Sequence, residues 1–145
     1  MTLFTPLDPA DVAVRLPAAD LDRARAFWRD KLGLEPVESR PGGLRYRCGE
    51  SWFVIFQSGG RASGAHTQMA IWVPELDPVV AALEERGLEF DTPDPIFGPP
   101  DANGAVHIDG AYPSTGAVGE RAVWFHDSEG NLIGISELVY APGAG

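Results

Sequence analysis

Three histidines, one cysteine and one lysine limit the chemistry open to this 145-residue chain. His66, His107 and His126 are not spaced as HxH or HxxxH, so no two of them share a strand or helix face as ready metal ligands. Cys48 is alone, which excludes an intramolecular disulfide and a thiolate zinc cage. With no histidine near it in sequence, it reads as a small buried hydrophobe rather than a nucleophile. Lys31 falls near the end of a predicted helix, not in the apolar pocket that a Schiff-base amine needs. Gly59–Gly64 is glycine-rich but leads into a strand, so it forms no phosphate cradle, and no GxSxG elbow is present. Asp127-Ser-Glu-Gly-Asn131 lacks the length and closing glutamate of a calcium loop and reads as a hairpin turn.

The elements that must position these groups come as an internal repeat. Val12–Leu16 alternates as a strand, and Asp20–Leu32 follows with Leu21, Ala24, Phe27, Trp28 and Leu32 at helical spacing, stopped by Gly33. Thr67–Val73 and Leu76–Arg86 repeat that order, with Leu76, Val79, Val80 and Leu83 as the stripe and Gly87 as the stop. Strand-like pieces follow each helix: Leu34–Val37, Leu44–Cys48 and Trp52–Gln57 in the first half, Leu88–Asp91, Arg121–His126 and Leu132–Leu138 in the second. Each half therefore reads βαβββ. A single domain spanning 1–145 is expected, with a first module over 11–57, a linker over 58–65 and a second module over 66–139. The linker would allow the modules to pair within one chain or to exchange in a homodimer. Residues 92–120 have no counterpart in the first half and carry five prolines and five glycines, which marks a functional lid or a disordered segment; Val106–Ile108 and Tyr112 argue for a loop that packs on something.

Composition narrows the partners. Against 11 Lys plus Arg stand 21 Asp plus Glu, a formal net charge of -10 that disfavours nucleic acid and anionic membranes. Met1–Ala10 has neither the basic stretch nor the apolar run of a signal peptide, and no segment is long enough to span a bilayer, so a cytoplasmic protein is expected.

The run from Arg15 to Ala24 leading to Phe27-Trp28, then Leu32-Gly-Leu34, Val73-Pro-Glu-Leu-Asp77 and Asp127–Asn131, resembles the vicinal-oxygen-chelate superfamily, which groups glyoxalases, bleomycin-resistance proteins and extradiol dioxygenases. The resemblance implies an α+β fold in which two βαβββ modules form a cup-shaped, eight-stranded mixed sheet with the helices outside. It also implies one divalent metal in the cup, held by His, Glu or Gln from the first and last strand of each module. Carried over residue by residue, those positions fall on Asp11, on Val54 or Ile55, on Gln68 and on Gly134. Only Asp11 and Gln68 have ligating side chains. No metal and no other cofactor is therefore expected, one divalent ion being the alternative.

Strand alternation supplies the cup's lining independently. If Val12, Val14 and Leu16 pack under the helix, Asp11 and Arg15 face the cup, as do Gln68 and Trp72, and Trp124 is assigned to the same cavity. Arg15 is either an anchor for a ligand carboxylate or the partner of Asp11. His107, in the long loop, is a candidate general base, or an improvised metal ligand with Asp11 and Gln68, should that loop fold over the cup. Asp11, Arg15, Gln68, Trp72, His107 and Trp124 thus form the candidate ligand site. The leading expectation is a protein that binds or sequesters a small molecule without the family's metal. The alternatives are a metal-dependent glyoxalase-like lyase, isomerase or dioxygenase with atypical ligands, and a protein whose cup is filled by its own side chains.

Overall fold

The structure, a computed structural model, describes residues 6–143; the first five residues of the Met1–Ala10 stretch and the last two of the chain lie outside the described residues. Each half follows the βαβββ order. The first module comprises β1 (Val14–Ala18), α1 (Leu21–Leu32), β2 (Glu38–Arg40), β3 (Gly43–Cys48) and β4 (Ser51–Gln57). The second comprises β5 (Thr67–Trp72), α2 (Leu76–Glu85), β6 (Val106–Asp109), β7 (Gly119–His126) and β8 (Leu132–Val139). The eight strands divide into two mixed sheets, β1-β4-β3-β2 and β5-β8-β7-β6, in which the first pair of each sheet is parallel and the others antiparallel.

α1 starts at Asp20, whose carboxylate accepts the Arg23 amide at 3.0 Å, and ends at Gly33. There φ is +71°, the left-handed conformation that glycine adopts without steric cost. Its stripe buries Ala24 and Trp28 completely. The Trp28 ring packs 5.2 Å from Phe53 and 6.3 Å from Phe125, so one indole touches both modules. One core cluster results, combining Leu16, Tyr46, Phe53 and Ile55 with Leu76, Phe125, Ile133 and Ile135.

Three expected elements are displaced. The first strand begins at Val14 instead of Val12, which is 95% exposed: pairing with β4 starts at Val14 opposite Phe53, although β4 itself begins at Ser51. It then runs through Pro17, which is tolerated because β1 is an edge strand and needs no N–H there. Leu34–Val37 is not a strand; β2 forms one step later at Glu38–Arg40. Leu88–Asp91 is likewise not a strand: Asp91 donates one amide to Trp124 O, while Val106–Asp109, from within residues 92–120, pairs with β7. That segment is therefore structured, with 3₁₀ turns at Pro95–Phe97 and Pro113–Thr115 flanking β6.

The modules are joined at the β7–β8 turn. Asp127 Oδ1 accepts the amides of Glu129 and Asn131, and its Oδ2 accepts Trp28 Nε1 at 3.3 Å. Asn131 donates to Pro17 O at 3.0 Å. The Glu129 carboxylate, with no exposed side-chain surface, accepts the Ala19 and Asp20 amides at 3.0 Å and a two-pronged contact from Arg23 at 2.8 and 2.9 Å. A carboxylate is favoured at this position because the first amides of a helix lack partners of their own. The Arg23 hydrogen bond, against the opposing effect of burial, and with help from the Asp20 amide and Ser128, holds the Glu129 carboxyl at about 2, below its ordinary 4.5. A depressed carboxyl stabilises the fold above its unfolded value and loses that contribution as pH falls towards the folded one. Glu129→Gln is therefore expected to unfold at lower urea than wild type at pH 7, with the gap closing between pH 4.5 and about pH 2. A gap of constant size across that range would refute the assignment.

Burial also pushes the Tyr46 phenol up to about 12, and its hydroxyl has no hydrogen-bond partner. Tyr46→Phe removes an unpaired polar atom while keeping the ring 5.0 Å from Phe53. Urea unfolding should show Tyr46→Phe more stable than wild type by about 1 kcal/mol; a loss of stability would mean that the hydroxyl is satisfied.

Candidate functional site

Alternation along the strands sends one set of side chains under the helices and the other to the opposite, concave face. In the first module that face presents Arg15, Trp52, Val54, Phe56, Arg45 and Arg47. In the second, Trp72, Glu120, Trp124, Gly134 and Ser136 share the corresponding face. Trp72 Nε1 donates to Glu120 Oε1 at 2.9 Å, and Ser136 Oγ reaches the same oxygen at 3.1 Å.

The two faces meet along a seam where β1 and the start of β4 approach β5. A cavity of about 280 Å³ lies there, lined by Trp52 and Trp72 together with Val14, Cys48, Met69 and Ala70. Both indoles are partly open, Trp52 at 40% and Trp72 at 57% exposure. Exposed tryptophans are uncommon because each leaves a large apolar surface in water, and two on one cavity form a place where a flat ring can be taken up. A second hollow of about 340 Å³ lies between Trp72, Glu120 and Leu138 and the turn carrying Tyr112 and Thr115. Residues 92–120 thus cover the second module's half of the concave face: Phe97 stacks on Trp124 at 5.1 Å, and Tyr112 stands beside Trp72.

The sequence-derived site residues are only partly brought together. Trp72 and Trp124 lie on the concave face, and Arg15 lies there in the first module. Arg15 does not pair with Asp11: its guanidinium sits 4.8 Å over the Phe56 ring, while Asp11 is exposed ahead of β1 and joins no ion pair among the described residues. Gln68 falls at a break in register between Thr67 and Met69, so Thr67 takes the inward place and accepts Trp124 Nε1 at 3.0 Å. Gln68 Oε1 is buried without a hydrogen-bond donor. His107 faces away from the cup. It pairs across the ladder with Arg121 and contacts Asp101 at 3.1 Å, on the side where Arg121 reaches Asp77 of α2 and Glu137. Partial burial raises the Asp101 carboxyl, but Arg121 and the Ala105 and Asn103 amides outweigh it and hold the group at about 2. This network fastens the loop to α2 and leaves His107 no role over the cavity.

Nor do the four positions implied by the resemblance offer a donor set for a divalent ion. Ile55 is fully buried in the core, Val54 is apolar, and a Cβ at Gly134 would come within 3.2 Å of Trp124 Nε1. The indole of Trp124 stands where a carboxylate side chain at 134 would have to pass. No group of three or more His, Cys, Asp or Glu is disposed to hold a metal among the described residues. A hard ion needs several oxygen or imidazole ligands, and these residues do not fit one.

Trp52, Arg45 and Arg47 escaped the sequence reading. β4 is apolar on both faces, Trp52-Val54-Phe56 against Phe53-Ile55, so hydropathy alone did not say which set lies under the helix. The alternation of Leu44 and Tyr46 with Arg45 and Arg47 in β3 was the available signal, since it fixes the face of the strand paired to it.

Among the described residues no helix is long and apolar enough to cross a membrane. No curated protein gives a significant match. Solved structures do. A glyoxalase/bleomycin resistance protein/dioxygenase from Nocardioides is 18% identical, with 99% of this chain and 91% of that chain covered at a TM-score of 0.63. Lactoylglutathione lyase from Agrobacterium tumefaciens is 21% identical, covering 92% and 96% at 0.57. The genomically encoded fosfomycin resistance protein from Listeria monocytogenes is 17% identical, covering 88% and 90% at 0.59. At these identities the likeness is one of fold. The sequence itself matches the family described as Glyoxalase/Bleomycin resistance protein/Dioxygenase superfamily over residues 11–135, nearly the whole folded region. The chain therefore belongs to the glyoxalase/bleomycin resistance protein/dioxygenase superfamily.

Proposed function

We propose that this protein binds a flat small molecule at the seam between its modules and releases it unchanged, without the metal of the family's enzymes. The observation that carries this reading is the pair of partly exposed indoles, Trp52 and Trp72, on one cavity. A stacked ring between or against them removes apolar surface from water and gains the face-to-edge electrostatics of aromatic contacts. The Trp72 indole is held for this by its hydrogen bond to Glu120, itself shared with Ser136. Two further features support binding over catalysis. Trp124 occupies the space beside Gly134, and the candidate base His107 is engaged with Asp101 on the far face.

Tryptophan fluorescence should be quenched on titration with a neutral flat probe such as 2-naphthamide. Trp52→Ala and Trp72→Ala should each weaken binding by roughly 1 to 3 kcal/mol, the scale of a lost stacking surface. Equal affinity in wild type and both variants would place the probe elsewhere. Elemental analysis after expression in metal-supplemented medium should find no stoichiometric transition metal; one equivalent, lost on Gln68→Ala, would favour the enzyme reading.

The cover over the second module makes a separate prediction. Phe97→Ala removes the stack on Trp124, worth about 1 kcal/mol. Limited proteolysis within 92–120 should then accelerate while the rest of the chain stays resistant. Unchanged cleavage would show that the Arg121–Asp101 contacts alone hold the segment down.

A further inference from the structure

Arginines are not distributed evenly over this acidic chain. Of 11 Lys plus Arg, with Lys31 the only lysine, four stand on the concave face of the first sheet: Arg15, Arg40, Arg45 and Arg47. The register sets three of them around one strand. Val54 lies between Arg15 on β1 and Arg45 on β3, and Arg47 lies opposite Trp52. At about 4.8 Å between neighbouring strands, the backbones of Arg15 and Arg45 are roughly 10 Å apart, a span that one small ligand can bridge. Arg40 lies along Gly43, its Nε 3.2 Å from where a Cβ there would sit, beside Phe56.

The guanidiniums lie on an aromatic floor. Arg45 is 4.1 Å and Arg47 5.3 Å from the Trp52 ring centre, and Arg15 is 4.8 Å from that of Phe56. A guanidinium lying over a ring still presents N–H groups at its edge, and those that Arg45 and Arg47 do not use on Glu38 and Gly49 O, with those of Arg15, can meet a planar oxyanion. Only one of the four has a carboxylate partner among the described residues: Glu38 meets Arg45 at 2.8 Å. Arg47 is otherwise satisfied by Gly49 O and Arg40 by Pro41 O, neutral acceptors that leave the positive charge uncompensated. With 21 Asp plus Glu available in the chain, a face that gathers four arginines and a single carboxylate is an electrostatic feature needing a counter-charge. A hollow of about 230 Å³ opens there, lined by Arg40, Arg45 and Val54 and by the Glu38 carboxylate that pairs with Arg45, on the other side of the Trp52–Val54 strand from the seam.

Resting on the proposed binding at the seam, we infer that the ligand is an aromatic anion: a flat ring taken by Trp52 and Trp72, carrying a carboxylate or similar planar oxyanion held by Arg15, Arg45 and Arg47. The sign is opposite to that suggested by the net charge of -10, because the local face, not the average surface, meets the ligand. Recognition then has two independent parts. The ring contributes charge-blind affinity, and the oxyanion contributes selectivity through charge-assisted, two-pronged hydrogen bonds.

Three probes of similar shape separate these parts: 2-naphthoate, neutral 2-naphthamide and 2-naphthylmethylammonium, each titrated calorimetrically into the 145-residue chain. The naphthoate should bind at least about tenfold tighter than the amide, and the ammonium weakest. Raising salt should weaken the naphthoate and leave the amide unchanged. Arg15→Gln and Arg45→Gln should each lower the naphthoate-to-amide ratio while amide affinity persists, which a variant that merely misfolds would not show. Equal binding of all three probes, or a ratio that survives in the Arg15→Gln/Arg45→Gln double variant, overturns the inference but keeps seam binding. Failure of every probe overturns both. A single-stranded oligonucleotide bound through these arginines, with the naphthoate inert, overturns it in favour of a nucleic-acid face.

Discussion

The buried carboxylate of Glu129 is the contact on which the arrangement of the two modules depends. A helix that begins against a neighbouring module presents unpaired amides to a dry interface, and leaving them unsatisfied is costly. Glu129, from the β7–β8 turn, accepts the Ala19 and Asp20 amides at the entry to α1, and Arg23 from the first turn of that helix neutralises it. Asp127 and Asn131 complete the joint by holding Trp28 Nε1 and Pro17 O. The same device recurs within the second module, where Glu137 accepts the Leu76 amide at the start of α2 at 2.7 Å. In one case the carboxylate comes from another module and in the other from the module's own last strand. The internal repeat is therefore not symmetric in what holds it together.

That joint sets the seam along which the candidate site lies. α1 is fixed to the second module's turn, and its Trp28 is wedged between Phe53 and Phe125, so the two concave faces stand side by side. They are chemically unlike. The first is basic and open, with arginines laid on Trp52 and Phe56. The second is covered by residues 92–120, with Phe97 on Trp124, and presents Trp72 and Glu120 at its edge. Along the seam each half contributes one aromatic ring, Trp52 and Trp72, to one cavity.

Much of the fold was legible because period and punctuation agreed. The helical stripes, Asp20 at one helix start and Gly33 at its end place α1 to within a residue, and two copies of the same order identify the module. What was not legible depended on pairing. Val12 alternates as well as Val14 does, yet only Val14 finds a partner on β4. Leu88–Asp91 has strand-like composition, but β7 takes its neighbour from Val106–Asp109, a choice made by the fold of a segment rich in proline and glycine. The candidate site suffered in the same way. Trp72 and Trp124 were recoverable from alternation, whereas His107 could not be placed without knowing that Val106–Asp109 is a strand, which turns its side chain towards Asp101. Gln68 was misplaced by a single irregularity in the ladder, and the turn at Asp127–Asn131 looked like a simple hairpin because its partners are more than 90 residues away in sequence.

Pro17 has no amide hydrogen to offer, and it sits on β1, the strand that borders the seam. Among the described residues the two sheets are not joined by backbone hydrogen bonds, so no ladder there fixes the spacing between them. Side-chain contacts have no such register: they tolerate small sliding and rotation that a hydrogen-bonded sheet would resist. The width of the gap between Trp52 and Trp72 is consequently set by side-chain packing and by the Glu129 joint, not by a ladder. A continuous eight-stranded sheet would have fixed the width of that gap in the backbone. This chain leaves that dimension to side chains, so a substitution at Trp52 or Trp72 can reset it without disturbing either sheet.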